Sequence, residues 1–270
     1  MNNVQASRIL AAFAFRNISK KRELQRPVIQ GIVGPVGIGK TTLTGLFVDI
    51  LADLGVKAVT FSLDDIYKTY QQRLLLQQQD PRLIWRGPPG THDIFLALDI
   101  FEQVLSGESN IAIWRFDKSL QQGRGDRQSK PEIVGNIDIL LFEGWFVGYR
   151  PIDFSTINNL PDIFSNEQDY KFAQDCNNRL QEYLPLWEKL DSLIVLNSED
   201  YHYSLQWRQD AEKKQKVGMA PAEIENMVRY FWKALHPELF LPQLIKDCNL
   251  VVDIDYEHQP SQFYRNAPKS

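Results

Sequence analysis

Residues 34–41 read Gly-Pro-Val-Gly-Ile-Gly-Lys-Thr, and this octapeptide constrains the fold more than any other part of the chain. Glycines at 34, 37 and 39 let the backbone fold back so that consecutive N–H groups converge on one point, a course that residues with a Cβ follow poorly. A short β-branched apolar run (28–33) precedes the octapeptide, and a helical apolar pattern (40–54), closed by Gly55, follows it. Strand, glycine loop and helix N-terminus in that order make an anion cradle. Lys40 is placed to neutralise β- and γ-phosphate charge and Thr41 to reach Mg²⁺. Gly34, Gly37, Ile38, Gly39, Lys40, Thr41 and Thr42 form the expected nucleotide-binding set.

Further apolar runs at 58–63, 137–142, 193–196 and 250–254 are continuous rather than alternating, and amphipathic segments at 92–105, 170–190, 201–216 and 221–235 separate them. That pattern predicts an α/β fold in three layers, with a mainly parallel sheet covered by helices on both faces. A run at 111–116 is expected to pair at an edge or lead into a site. The stretch 71–79, rich in glutamine with Leu74, Leu75 and Leu76 inside it, reads as a helix. Residues 4–15 read as an amphipathic N-terminal helix, within an extension of residues 1–26. Sequence alone predicts one domain over 1–270, with residues about 200–236 as a helical lid.

Ligands of parallel α/β sheets gather at the carboxyl ends of the strands. Asp64 and Asp65 end one strand, 24 and 25 residues after Lys40, and Glu143 ends another. A carboxylate there can take the proton of an attacking hydroxyl or hold the Mg²⁺ shell. Adjacent side chains diverge, so only one of the two aspartates can be the base; the pair could equally cap a helix. Glu143 could hold the metal shell or a substrate hydroxyl, or be an ordinary surface acid. Residues 86–93, Arg-Gly-Pro-Pro-Gly-Thr-His-Asp, form a rigid turn in which Arg86 suits an oxyanion and Thr91 a helix N-cap, while His92 is either functional or a capping or solvated histidine. Asp117 and Lys118 with Arg124 and Arg127 bring three cations into a glycine-rich loop, either an anion clamp or a basic surface loop. Arg208 in the 201–216 helix is the candidate for transition-state charge, and the lysines near it read as a solvated face.

Together these segments resemble the D-glycerate 3-kinases of plants and cyanobacteria, which group with uridine kinase, pantothenate kinase and phosphoribulokinase among the P-loop kinases. The resemblance is carried by the glycine loop, Ser-Leu-Asp-Asp-Ile-Tyr at 62–67, Arg86-Gly87 with Gly-Thr-His-Asp at 90–93, Phe-Asp-Lys-Ser at 116–119, Gly-Arg-Gly-Asp-Arg at 123–127 and Leu-Phe-Glu-Gly-Trp at 141–145. It implies transfer of the γ-phosphoryl group of ATP to the 3-hydroxyl of D-glycerate, giving 3-phosphoglycerate in photorespiratory salvage. It implies Asp64 as the base, with Lys40, Glu143 and Arg208 as its catalytic companions and Thr41, Asp64 and Glu143 about the metal. Asp65, Tyr67, Arg86, His92, Asp117, Lys118, Arg124 and Arg127 are the implied acceptor-binding residues. The chain departs from the family pattern at Pro88, where Asn is usual, at Trp114 for Pro, and at Phe116 for Tyr.

Two other readings compete. One is a kinase of the same fold for a nucleoside or pantothenate; against it, the loops offer Arg86, Lys118, Arg124 and Arg127 rather than stacking aromatics. The other is a nucleotide-dependent switch, but the chain has neither an NKxD nor an LSGGQ motif. With 30 Lys and Arg against 34 Asp and Glu, the formal charge is -4, so a general nucleic-acid partner is not expected. No apolar run nears the roughly 18 residues of a membrane span, and no secretion signal is read. Cys176 and Cys248 lack metal or disulfide spacing, and two reduced thiols point to the cytoplasm. A monomer is compatible with the sequence, which does not fix the oligomeric state. The residues 256–260, after the last predicted strand, are the expected adenine contact.

Overall fold

The computed structural model describes residues 3–157, 161–213 and 219–264. The chain begins with α1 (Asn3–Leu24), β1 (Val28–Val33), α2 (Lys40–Asp53) and β2 (Ala58–Ser62), followed by a 3₁₀ turn (Leu63–Ile66). Next come α3 (Tyr70–Gln79), α4 (Ile94–Leu105), four short strands, β3 (Ile111–Ile113), β4 (Phe116–Asp117), β5 (Asp126–Arg127) and β6 (Glu132–Val134), and the central strand β7 (Ile139–Gly144). The remainder is α5 (Glu167–Arg179), α6 (Leu184–Trp187), β8 (Ser192–Ser198), α7 (Tyr203–Lys213), α8 (Pro221–Ala234), α9 (Pro237–Asp247), β9 (Leu250–Ile254) and β10 (Pro260–Tyr264).

Six strands form the main sheet in the order β10-β9-β8-β1-β7-β2, parallel except for β10, which runs antiparallel to β9. Every residue of β1 and of β7 is buried, as a strand covered on both faces requires. Side chains alternate between two cores. Val28, Ile32, Ile139 and Leu141 pack with Phe13 of α1 and Phe47 and Leu51 of α2, whereas Ile29, Val33, Leu140 and Phe142 pack with Phe101 of α4, Cys176 of α5 and Trp187 of α6. The one polar side chain of β1, Gln30, is held on both sides: Asn17 of α1 donates to its Oε1 at 3.1 Å, and its amide donates to the Ser192 carbonyl at 3.2 Å.

The α/β architecture expected from the sequence is present, and several boundaries differ. The N-terminal helix runs on to Leu24 because Ile18 continues its apolar stripe against the sheet. The segment 170–190 is not one helix: Pro185 sits in the first turn of α6, where it has no N–H to donate, and a 3₁₀ turn separates it from α5. The 92–105 helix starts at Ile94, with Asp93 rather than Thr91 as its cap; Asp93 accepts from the Leu96 N–H at 3.2 Å, while the Thr91 hydroxyl donates to the Pro88 carbonyl at 2.8 Å. The run at 111–116 stays outside the main sheet: β3 pairs with β6, and β4 pairs with β5. The missing sheet member is β10, which follows the 255–259 turn that the sequence reads as a plain loop. Of the expected 201–216 helix, α7 covers Tyr203–Lys213, and 214–218 lie outside the described residues.

His92 and His236 are buried, at 0 % and 1 % exposure. Burial holds His92 down at about 3, with Lys68 adding to the effect, and His236 down at about 4, helped by His202, both from 6.5. The unfolded chain binds protons on both rings below pH 6.5 while the folded chain refuses them, so stability is complete above that pH and is lost as pH falls toward 4 and then 3. The urea midpoint is expected to drop between pH 6.5 and 4, and His236→Gln to remove about 1 kcal/mol per pH unit from that slope. An unchanged slope in the variant would show that His236 accepts a proton without unfolding the chain.

Candidate active site

The parallel register sets Val33 beside Gly144 and Ser62 beside Glu143, so the ends of β1, β7 and β2 open together into a cavity of about 690 Å³. At its floor the glycine loop takes the course read from the sequence: Gly37 and Gly39 have φ of 85° and 98°, in the left-handed region. Gly34 needs its missing Cβ for a different reason, since a Cβ there would lie 2.9 Å from Leu196 Cβ of β8. Ile38 turns inward and anchors the loop in the core, 1 % exposed. Thr41 and Thr42 lie exposed on the first turn of α2, and Thr41 borders the cavity.

Lys40 donates to the loop's own carbonyls, Gly34 at 2.9 Å and Pro35 at 3.1 Å. Its pKa is lowered by burial, against the pull of Glu143 and Asp64, with Lys118 adding to the lowering. A site that holds an ammonium under strain of burial gains when polyphosphate charge arrives. The loop is held from outside too. A Cβ on Gly37 would come within 2.7 Å of Trp207 Cβ of α7, and His258 Nε2 donates to the Gly37 carbonyl at 2.9 Å. Trp207 in turn donates to the Tyr256 carbonyl at 2.8 Å, so the turn after β9 and the helix α7 meet at the loop.

Asp64 and Glu143 face this loop from the 3₁₀ turn that ends β2 at Ser62, one residue short of the strand read from the sequence, and from β7. Burial opposes ionisation of Asp64, but the Lys118 ammonium at 2.7 Å and the Tyr67 hydroxyl at 2.8 Å outweigh it and hold the carboxyl well below the usual range. Glu143 goes the other way: burial raises it, Lys40 lowers it and Asp64 raises it again. Two carboxylates and the Thr41 hydroxyl supply hard oxygen donors, the set that suits Mg²⁺. On the next wall, Arg86 donates from one nitrogen to the carbonyls of Gly123 and Arg124, at 3.3 and 2.9 Å, and its guanidinium lies 5.4 Å from the centre of the Phe116 ring. Arg124 reaches Tyr70 Oη at 3.4 Å. Arg208 of α7 borders the cavity, paired at 2.7 Å with buried Glu212.

Of the acceptor-binding residues expected from the sequence, the structure brings Tyr67, Arg86, Lys118 and Arg124 to the cavity and leaves four elsewhere. Asp65 closes the 3₁₀ turn, accepting from Ser62 N at 3.0 Å and from Arg115 at 2.9 Å, so its carboxylate is consumed as a staple between β2 and the β4 segment. Arg127 pairs with Asp93 at 2.9 Å and stacks over Trp114. Asp117 folds onto Ser119 at the surface, accepting from its N–H at 2.8 Å. His92 lies behind Tyr67, ring on ring at 4.7 Å, with Nδ1 2.7 Å from the Tyr183 hydroxyl. None of these four lines the cavity.

Sequence reading missed other members. Arg73 of α3 donates to the Lys68 carbonyl at 3.1 Å, to the Arg124 carbonyl at 3.0 Å, and to the Gly125 carbonyl, so it anchors the glycine-rich loop. Trp145 donates to the Gly87 carbonyl at 3.2 Å and meets Phe231 of α8 edge-on, where a Cβ on Gly87 would strike the ring at 2.1 Å. The Arg-Gly dipeptide at 86–87 carried that last signal; Arg73 carried none.

No family model matches the sequence. Among curated proteins, the chain is 29% identical over 257 residues to the chloroplastic D-glycerate 3-kinase of Arabidopsis thaliana, covering 87% of this chain and 54% of that protein. It therefore spans about half the length of the plant relative. It is 30% identical over 222 residues to the uncharacterized kinase mug58 of Schizosaccharomyces pombe, covering 76% of this chain and 79% of that protein. The fold is shared with the solved structure of D-glycerate 3-kinase from Cryptococcus neoformans, at a TM-score of 0.81 and 24% identity over 96% of this chain and 98% of that one. With the glycine loop, the strand-end acids and these relatives in agreement, the chain belongs to the family of P-loop kinases that the plant and fission-yeast proteins represent.

Proposed function

We propose that the chain transfers the γ-phosphoryl group of ATP to the 3-hydroxyl of D-glycerate. One observation carries the reading: a single cavity joins the phosphate loop, the strand-end carboxylate Asp64 and a wall bearing Arg86, Arg124 and Lys118. The first binds the donor, the second meets a hydroxyl and the third meets a small acceptor's carboxylate. The name of the Arabidopsis relative agrees with this substrate.

In this reading the N–H groups at Gly34, Gly37, Ile38 and Gly39, with Lys40, Thr41 and Thr42, hold the polyphosphate, and the turn at 256–260, tied to the loop through His258, lies at the adenine. Asp64 orients the acceptor hydroxyl and takes its proton. The O–H bond breaks as the new O–P bond forms, the bond from the γ-phosphorus to the β-bridging oxygen breaks, and ADP leaves with that electron pair. Thr41, Asp64 and Glu143 would hold Mg²⁺, which when bound supplies countercharge to the β- and γ-oxygens. Arg86 and Arg124 orient the acceptor's carboxylate. The helices α7 and α8 form the lid of a single domain, and Arg208 carries charge toward the phosphates with Glu212 holding it. The reading includes a photorespiratory salvage role and a cytoplasmic protein, Cys176 and Cys248 being buried thiols outside any disulfide among the described residues.

ADP release with Mg²⁺-ATP and a panel of D-glycerate, L-glycerate, uridine, pantothenate and ribulose 5-phosphate tests the substrate. Stimulation by D-glycerate alone is expected; stimulation by uridine would mean that Trp145 and Phe231 serve a base. Asp64→Asn should lower turnover by about 10²–10⁴-fold with nucleotide binding intact. Asp65→Asn should act on stability instead, because its partners are Ser62 and Arg115; the reverse pattern would move the base to Asp65. Arg86→Ala is expected to raise the acceptor KM by about 10-fold or more at nearly constant kcat, while a change confined to the ATP KM would reassign it to the donor.

A further inference from the structure

Both oxygens of Asp64 are engaged, and by partners of very different freedom. Oδ1 receives the Tyr67 hydroxyl at 2.8 Å, and Tyr67 is 3 % exposed, stacked on buried His92. Oδ2 receives the Lys118 ammonium at 2.7 Å, and the Lys118 side chain is 60% exposed, just past β4. With its lysine so open to water, this pair exchanges more readily than the buried Tyr67 contact. The carboxylate is therefore fixed by Tyr67 and covered by a removable cation. Arg86 and Arg124 border the same cavity, and Arg86 uses only one of its guanidinium nitrogens in hydrogen bonds among the described residues.

We propose that Lys118 reads the charge of the acceptor. A carboxylate held by Arg86 and Arg124 draws the ammonium off Asp64 and frees Oδ2 for the acceptor's hydroxyl, whereas a neutral acceptor of the same shape leaves Asp64 covered. The inference rests on the assignment of Asp64 as base and of a carboxylate acceptor. It makes Lys118 a specificity-determining residue that acts against uncharged alcohols by an unfavourable element, not only for glycerate by an attractive one.

The test compares D-glycerate with D-glyceramide, which keeps the hydroxyls and removes the charge, in the wild type and in Lys118→Met. The wild type is expected to favour D-glycerate in kcat/KM by about 100-fold or more. Lys118→Met should lose about 10–100-fold with D-glycerate and rise about threefold or more with D-glyceramide, so that the preference collapses. Arg86→Met, which leaves Lys118 on Asp64, should lose kcat/KM for D-glycerate without any gain on D-glyceramide. Lys118→Arg should keep the preference, and an unchanged ATP affinity and melting temperature would show that each variant is folded. Equal losses on both acceptors in Lys118→Met would overturn the inference and assign Lys118 to the transferred phosphoryl group; unchanged turnover would overturn it too. A wild type silent with D-glycerate would instead remove the proposed function, and the inference with it.

Discussion

The parallel pairing of β1 with β7, and of β7 with β2, holds Val33 against Gly144 and Ser62 against Glu143, and the charged groups of the cavity take their places from that register. A slip of one residue would turn Glu143 into one of the apolar cores and bring Phe142 to the mouth of the site. Burial of every residue in both strands makes such a slip costly, because each core is filled from alternate positions. The same close packing decides the loop: β8 runs so near that position 34 has no room for a side chain. The geometry of the cavity is a by-product of sheet packing.

Charge in the cavity is balanced internally before any substrate is considered. Lys40 rests on the carbonyls of Gly34 and Pro35, Arg86 on those of Gly123 and Arg124, Lys118 on Asp64, and Arg208 on Glu212. None of these cations is left bare in a partly desolvated place, which would be expensive. For Lys40 and Arg86 the partners are carbonyls, weaker for a cation than phosphate or carboxylate oxygens, so exchange toward a charged substrate is favourable. The site is stable alone and also ready to trade its contacts.

What the sequence made legible was local. Glycine spacing, a lysine and a threonine at the start of a helix, and acids near strand ends each announce themselves within a few residues, and the glycine loop, Asp64 and Glu143 do line one cavity. What was hidden depended on partners distant in the chain. Nothing near Asp65 or Arg127 showed that Arg115 and Asp93 would consume them, and Arg73 in its glutamine-rich helix gave no hint of the carbonyls of Arg124 and Gly125. Pro185 is the local mark of the break in 170–190, set among residues whose apolar pattern otherwise continues as one helix. The strand β10 was hidden for a different reason: as an edge strand after a tight turn it lacks the continuous apolar run that marked the others.

Gln30 gives the sheet a property that hydrophobic burial cannot. An apolar strand face accepts a covering helix at many lateral positions of similar energy, since contact area is indifferent to a small slide. Set at the centre of β1 and satisfied by Asn17 of α1 and by Ser192 of β8, the buried amide finds its full set of partners at only one of those positions. α1 is thus located along the sheet as a key is by a single tooth, and the strand that leads into the phosphate loop inherits a fixed address from the helix packed on it.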